Sequence, residues 1–428
     1  MSDVQRTPTN AAVKRHSQAG FSLAELVVSL FVVVLLMVVI LTLFDSTSKI
    51  ARAQTYIADL QQSVRVAQDE MVRYTRMAAR GGLTRGILPN DLITVEMRNN
   101  VADGTAEQSV GIGTPSSPLA VPNTDILTVR GVFDHLFFLN ADAGGGAVTF
   151  DDPDNPTAGT LTVQNPVPST GVAQSLQPLI KVVNEGRPEA LLIASPLGGT
   201  LYHIVQLDPG ASDVTNPSHL VLAFKITGGT HNAEYNSISA NPGFPQELRS
   251  VAYIGILEEY RFYVRKIPDP GNPAAPGTSR LSRARFYPGS ETAYDPAVGT
   301  NLGSLADDIA DDIIDLQVAL AIDKNADNVI AAETGDATDE WLFNSDVAAE
   351  DDNPGDWNGA GKKLFYVRIN TLARTARRDF QAISAPITKI EDHRYDEPAV
   401  PDPKDATVRV PREYRRRLLQ TVVDLRNL

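Results

Sequence analysis

The sequence predicts an α+β fold, with one long N-terminal helix packed on a large antiparallel β-rich head. Three observations predict it. No Pro or Gly interrupts residues 21–80, although the chain carries 30 Gly and 28 Pro elsewhere. The first half of that stretch is apolar at membrane length, and the second half carries an apolar stripe at helical spacing. Beyond it, short runs rich in Val, Ile, Leu and aromatics alternate with polar loops. Those connections suit hairpins better than βαβ crossovers, which points to an antiparallel sheet.

Residues 26–44 read LVVSLFVVVLLMVVILTLF, and only Ser29 and Thr42 carry polar side chains, which can bond back to the helix they sit in. These 19 residues span roughly 28 Å, close to the ~30 Å hydrocarbon core of a bilayer. Residues 1–20 carry Arg6, Lys14 and Arg15 against Asp3, a net charge of +2. Basic residues before a first span tend to stay cytoplasmic, which places the C-terminal bulk outside the inner membrane. A secretory signal is cut after its apolar stretch. Here the small-residue junction Ala19-Gly20 precedes Phe21 and the apolar run, so cutting there leaves the span in the mature chain. Glu25 is a lone carboxylate at the mouth of that span, where carboxylates are costly and usually mark function.

From residue 50 the apolar positions are Ile50, Ala53, Ile57, Leu60, Val64, Ala67, Met71, Tyr74 and Ala78, in alternating steps of 3 and 4. The opposite face carries Lys49, Arg52, Asp59, Gln62, Arg65, Asp69, Glu70 and Arg73. Such a stripe serves either a coiled-coil partner or the chain's own sheet; the large β-rich segment that follows favours the sheet. Gly81-Gly82 supplies the stop signal. Residues 22–80 then form one helix of roughly 90 Å.

The organisation is therefore residues 1–20 as a leader, 21–80 as a membrane and amphipathic helix, and 81–428 as a head outside the cytoplasm, long enough to split into two lobes. Removing the +2 leader from the chain's −14 leaves −16 on about 408 residues. An acidic head argues against nucleic acid, whose phosphates attract Lys and Arg. With no cysteine, the head has no disulfide and must rest on a packed core. Strands are expected at 92–97, 126–133, 147–150, 160–164, 179–183, 190–194, 202–207, 219–226, 252–266, 280–287, 313–322, 364–372 and 417–425. Polar loops occupy 99–123, 140–176, 227–247, 267–279 and 331–360, either tolerated insertions or contact surfaces.

Asp323, Asn325 and Asp327 place three oxygen side chains at alternate positions, as calcium loops do. Asn328 stands where such a loop needs Gly, and Thr334 where it needs a bidentate acid, so an Asx-rich turn is the competing reading. Asp307, Asp308, Asp311 and Asp312 read as a solvated turn or helix start. The six histidines are scattered without an HExxH pair, and there is no GxSxG elbow. GDWNGAGKK at 355–363 has its first Gly misplaced for a phosphate loop and no hydroxyl after the Lys. Nothing in this pattern points to an enzyme or requires a cofactor.

GFSLAELVVSL at 20–30 resembles the N-terminus of the type IV pilin and pseudopilin superfamily. LQQSVRVAQDEMVRYTRMAARGG at 60–82 resembles the PilW-type minor pilins and the related J-type minor pseudopilins. The C-terminal third adds Glu259-Tyr260-Arg261-Phe262-Tyr263-Val264, Leu281-Ser282-Arg283 and Ile314–Val318 before Asp323. Also similar are LFYVRINTLARTAR at 364–377 and the ending RRLLQTVVDLRNL at 416–428. The loop-rich middle carries no such resemblance. The resemblance implies a structural subunit held before assembly in the bacterial inner membrane, head outward, and afterwards in a periplasmic or extracellular pilus. A prepilin peptidase would cut between Gly20 and Phe21 and methylate the Phe21 amine. Phe21 and Glu25 would form the assembly contact, Glu25 offsetting the amine of a neighbouring subunit. Partners would be other minor pilins and the major pilin. A pseudopilin of a type II secretion system and a tip adhesin are the alternatives.

Overall fold

The computed structural model describes residues 22–78, 80, 94–102, 120–139, 148–152, 154–167, 170–194, 202–232, 251, 253–267, 277–290, 306–331, 333, 339–344, 362–376, 387–395 and 414–425. In chain order, α1 is Leu23–Met77, β1 Val95–Arg98, β2 Ile126–Gly131, β3 Leu136–Phe138, β4 Val148–Phe150 and β5 Ala158–Gln164. Next come α2 Gln177–Asn184, β6 Ala190–Ala194, β7 Tyr202–Asp213, β8 His219–Lys225, β9 Tyr253–Ile256, β10 Glu258–Ile267 and β11 Thr278–Phe286. Last are β12 Ala306–Asp311, β13 Ile313–Asp323, β14 Trp341–Leu342, β15 Lys363–Arg374, β16 Lys389–Ile390, β17 His393–Arg394 and β18 Arg416–Asp424.

The chain divides into two compact units, Met1–Thr55 and Tyr56–Leu428, with the boundary inside α1. In the first unit the apolar side chains of the helix from Leu26 to Phe44 are all exposed. It is the one helix among the described residues long and apolar enough to cross a membrane. Ser29 Oγ donates to Leu26 O at 2.9 Å and Thr42 Oγ1 to Val39 O at 2.8 Å, so both hydroxyls are satisfied within the helix.

In the second unit every paired strand runs antiparallel. Strands assemble into a five-stranded sheet β1-β2-β10-β11-β12, a four-stranded sheet β14-β13-β15-β18, a seven-stranded sheet β3-β9-β6-β7-β8-β5-β4, and the hairpin β16-β17. The seven-stranded sheet is built entirely from chain between β2 and β10. Its own core joins Leu161, Val163, Leu191, Ile193, Val205 and Leu222 to α2 residues Leu179, Val182 and Val183.

The helical stripe is buried where it enters this unit, at Leu60, Val64, Ala67, Met71, Tyr74 and Ala78. These residues share one core with Val129, Phe262 and Leu281 of the five-stranded sheet and with Leu316, Ile369 and Val423 of the four-stranded sheet. Two polar contacts fix the helix on that core. Gln68, 2% exposed, aims Nε2 at Ile369 O (3.1 Å), Thr371 Oγ1 (2.9 Å) and Leu419 O (2.9 Å). Arg283 of β11 donates from Nη1 to Glu70 Oε1 at 2.7 Å and to Tyr74 Oη at 2.6 Å. The Tyr74 ring lies 4.9 Å from both Phe133 and Tyr260, at tilted and edge-on angles that aromatic pairs favour.

Three expectations change. Residues 179–183, rich in strand-forming side chains, lie in α2. Pro178 suits a first helical turn, and Leu179, Val182 and Val183 bury at helical spacing. The helix closes with Arg187 N–H on Val182 O and Gly186 N–H on Val183 O, Gly186 taking φ 69°. The run 252–266 is two strands. Leu257 donates to Ala190 O at 2.9 Å between them, β9 pairs with β3 and β6, and β10 pairs with β2 and β11. Residues 307, 308 and 311 lie on β12. Arginines on neighbouring strands stabilise the acids there: Arg280 Nη1 and Ser282 Oγ reach Asp308 at 2.9 and 2.7 Å, and Arg283 Nη2 reaches Asp307 at 2.9 Å. The Gly81-Gly82 stop lies outside the described residues.

Replacing Gln68 by Ala removes a buried donor facing three acceptors, and is expected to cost about 1–3 kcal/mol of head stability. Denaturant unfolding of the detergent-solubilised chain, followed by the fluorescence of its tryptophans, checks this. An unchanged midpoint would show that the clasp contributes nothing.

Candidate functional site

Gly20 and Phe21, the expected processing junction, lie outside the described residues. Glu25 lies within them, at the start of α1. Glu25 Oε2 accepts Ser22 N–H at 2.9 Å, and Ser22 Oγ accepts Glu25 N–H at 3.2 Å. This is a reciprocal capping box, S-x-x-E, which satisfies two of the four free N–H groups at a helix start. Both residues are exposed. The carboxylate sits on the positive end of the helix dipole, at the edge of the apolar segment. The capping-box pattern is present in the sequence as Ser22-Leu23-Ala24-Glu25, so Glu25 serves the helix start as well as carrying charge.

The loop after β13 closes on itself. Asp323 accepts Asp327 N–H at 3.2 Å on Oδ1 and Asn328 N–H at 2.8 Å on Oδ2. Asn325 Oδ1 also accepts Asp327 N–H, at 2.8 Å, and Asp327 Oδ1 accepts Val329 N–H at 2.7 Å. Glu340 reaches the same turn by accepting Lys324 N–H at 3.1 Å and Ala331 N–H at 2.6 Å. Asn328 takes φ 62°, the left-handed conformation for which a calcium loop uses Gly. The geometry is that of consecutive Asx turns. Among the described residues, no group of three or more His, Asp or Glu could hold a metal ion.

A second polar cluster, with no local sequence signal, joins the five-stranded and four-stranded sheets. Asp125 precedes β2 and is fully buried. It donates N–H to Leu316 O at 2.9 Å, while its carboxylate accepts Asn100 N–H at 2.9 Å and Val318 N–H at 2.7 Å. Asp315 of β13, 4% exposed, accepts from Gln317 Nε2 at 3.0 Å. Its Oδ2 and the Gln317 Oε1 have no hydrogen-bond partner among the described residues. Asp392 accepts from Asn99 Nδ2 at 2.6 Å and Asn100 Nδ2 at 2.9 Å. Burial pushes Asp315 up to about 7, and the negative charge of Asp392 adds to that push. Burial likewise holds Asp125 well above the usual carboxylate range, against the N–H bond from Asn100.

The described histidines form no cluster. His135 pairs with Asp134 at 2.5 Å, His203 is buried in β7, His231 stacks on Tyr287 at 3.8 Å, and His393 meets Asn100 at 3.2 Å. Residues 355–361 of the Gly-rich segment lie outside the described residues. Buried Glu259 holds Arg130 at 2.6 Å and Arg261 at 2.8 Å, and the partly exposed Glu96 holds Arg130 at 2.5 Å, so the buried charges are compensated.

Residues 270–427 match the family model described as type IV pilus-assembly protein W. The match supports a type IV pilus-related protein. It begins after β10, runs through β18 and takes in the family-like segments 281–283, 314–318, 364–377 and 416–427; residues 20–30, 60–82 and 259–264, and with them α1 and the seven-stranded sheet, fall outside it. No curated protein and no solved structure matches the chain.

The Asp315 carboxyl has a measurable consequence. A carboxyl raised in the folded state binds its proton more tightly than in the unfolded chain. Its stabilising contribution is therefore complete below about pH 4 and is lost as pH rises toward 7. The slope from this group is at most about 1.4 kcal/mol per pH unit. Asp315→Asn is expected to flatten the decline and to raise stability at pH 8 relative to the native chain. Unfolding midpoints from pH 4 to 8 check both points; parallel curves for the two proteins would contradict the assignment.

Proposed function

We propose that the chain is a minor type IV pilin, a structural subunit without catalytic activity that helps initiate or cap pilus assembly. Prepilin peptidase cuts it between Gly20 and Phe21 and methylates the new amine. The subunit waits in the inner membrane with its head outside and then joins other minor pilins and the major pilin. The observation that carries this reading is α1 itself. One helix opens at Leu23 with Glu25 in its first turn, exposes a membrane-length apolar segment, and ends as the buried core element of a head whose C-terminal part matches a pilus-assembly family.

Glu25 has two roles in this reading, capping the helix and meeting a neighbouring subunit's amine. An unpaired carboxylate in hydrocarbon costs several kcal/mol, so pairing across subunits favours assembly. A second reading, a tip adhesin, is favoured by one feature. The seven-stranded sheet has its own core and lies outside the family match, as an added binding module would.

Glu25→Gln separates the two roles, because Gln keeps the capping box and removes the charge. Both Glu25→Gln and Glu25→Ala are expected to lower the subunit's recovery in sheared pili at least tenfold, with membrane levels unchanged. Normal incorporation of Glu25→Gln would remove the charge role. A deletion strain is expected to lose surface pili and keep normal protein secretion. Normal pili with blocked secretion would instead make the chain a pseudopilin.

A further inference from the structure

Among the described residues β18 is the edge of the four-stranded sheet, paired on one side with β15 in an unbroken register from Arg374↔Arg416 to Tyr366↔Asp424. Beyond the two ends of that ladder, Leu425 donates to Phe365 O and Thr375 donates to Arg415 O, both at 2.9 Å. Odd-numbered residues of β18 therefore direct their N–H and C=O at β15, because hydrogen-bonding direction alternates along an antiparallel strand. Leu418, Gln420 and Val422 direct theirs at the open edge. Their side chains are exposed, Leu418 at 45% and Val422 at 48%, whereas Val423 on the opposite face is fully buried. The side chain of Gln420 makes a long 3.5 Å contact with Glu391.

Natural sheets usually blunt such edges with Pro, a bulge, an inward charge or a very short strand. Among the described residues, the middle of the nine-residue β18, Leu418 to Val422, carries no Pro, bulge or charge; its charges lie at the two ends, Arg416, Arg417 and Asp424. Its sequence, Arg416-Arg417-Leu418-Leu419-Gln420-Thr421-Val422-Val423-Asp424, complements itself when reversed. Antiparallel pairing centred on Gln420 sets Leu418 opposite Val422 and Arg416 opposite Asp424, at both ends. All these positions are the ones whose backbone groups point outward, so they form hydrogen-bonded pairs. Sliding the register by one pairing step sets Arg416 against Val422 and Leu418 against Gln420. Among the outward-pairing positions only the register centred on Gln420 matches charge to charge and apolar to apolar, as favourable cross-strand pairs require; the intervening pairs are Arg417 with Val423 and Leu419 with Thr421.

We propose that β18 is a homotypic interface: two copies of this chain join their four-stranded sheets through antiparallel β18–β18 pairing about Gln420. The contact is isologous, as two-fold dimers require, and it is a property of the head that stands independently of the pilus assignment.

The absence of native cysteine allows a direct test on the full-length chain in detergent. Directly opposed residues in a hydrogen-bonded pair have Cα atoms about 5.5 Å apart, within disulfide reach. Under mild oxidant, Gln420→Cys is expected to give a reductant-sensitive dimer as the main species. Leu418→Cys and Val422→Cys should each crosslink at least fivefold less alone, and should crosslink to one another when mixed. Gln420→Pro removes an N–H that β15 does not use, so the sheet tolerates it; sedimentation should show the native chain as a dimer and this variant as a monomer. Three results would overturn the proposal: a Gln420→Cys chain that stays monomeric, a mixture that crosslinks no better than its parts, or Gln420→Cys captured in cells by a different protein in place of its own copy.

Discussion

The five-stranded and four-stranded sheets of the head share one core, in which the stripe from Leu60 to Ala78 packs against both at once. Each fully buried Leu, Val or Met on such a stripe contributes about 1.5–3 kcal/mol. The stripe also decides geometry. Ala67, fully buried at its centre, lets the backbone of α1 approach closely, which brings Gln68 within reach of the carbonyls of Ile369 and Leu419. A helix rotated by one residue would withdraw Gln68 from β15 and β18 and Glu70 from Arg283 together. The polar contacts thus select one orientation from those that apolar burial alone would allow.

The same helix obeys two solvents. Up to Phe44 its side chains are apolar all round and exposed, which suits lipid and no soluble core. From Asp45, which pairs with Lys49 at 2.7 Å, charge appears on one face and the stripe on the other. The head bears the acidic surface and its own polar seams. Asp125 ties the start of β2 to β13 through two bonds, to Leu316 O and from Val318 N–H, and takes a third from Asn100 N–H beyond β1, in the place where a continuous backbone ladder is missing between those sheets. Retaining carboxyls there costs desolvation, which the raised Asp315 reports.

Periodicity made α1 legible, because 3.6-residue spacing and an unbroken run without Pro or Gly admit one interpretation. Strand positions were legible wherever apolar runs sat between turn residues, as at β6, β8, β13 and β15. Failures came where tertiary context overrode local preference. Leu179–Val183 has strand composition, yet its burial spacing and the Gly186 stop make it α2. The aspartates of β12 look solvated until Arg265, Arg280 and Arg283, distant in sequence, come alongside. Gln68 could have been found, since it lies four residues after Val64 and three before Met71, on the buried face. Asp125 and Asp315 carried no signal, because nothing local tells a buried acid from an exposed one. At the site, the Ser22–Glu25 cap was present in the sequence as a capping-box pattern, whereas the self-bonding of Asp323, Asn325 and Asp327 needed the backbone positions.

The most direct test of the account is mass analysis of the N-terminal peptide of this chain in purified sheared pili and in inner membranes. The account predicts that the pilus fraction contains the chain, that its first residue is Phe21, and that its amine carries one methyl group. A chain found only in the membrane, with residues 1–20 still attached, would contradict it.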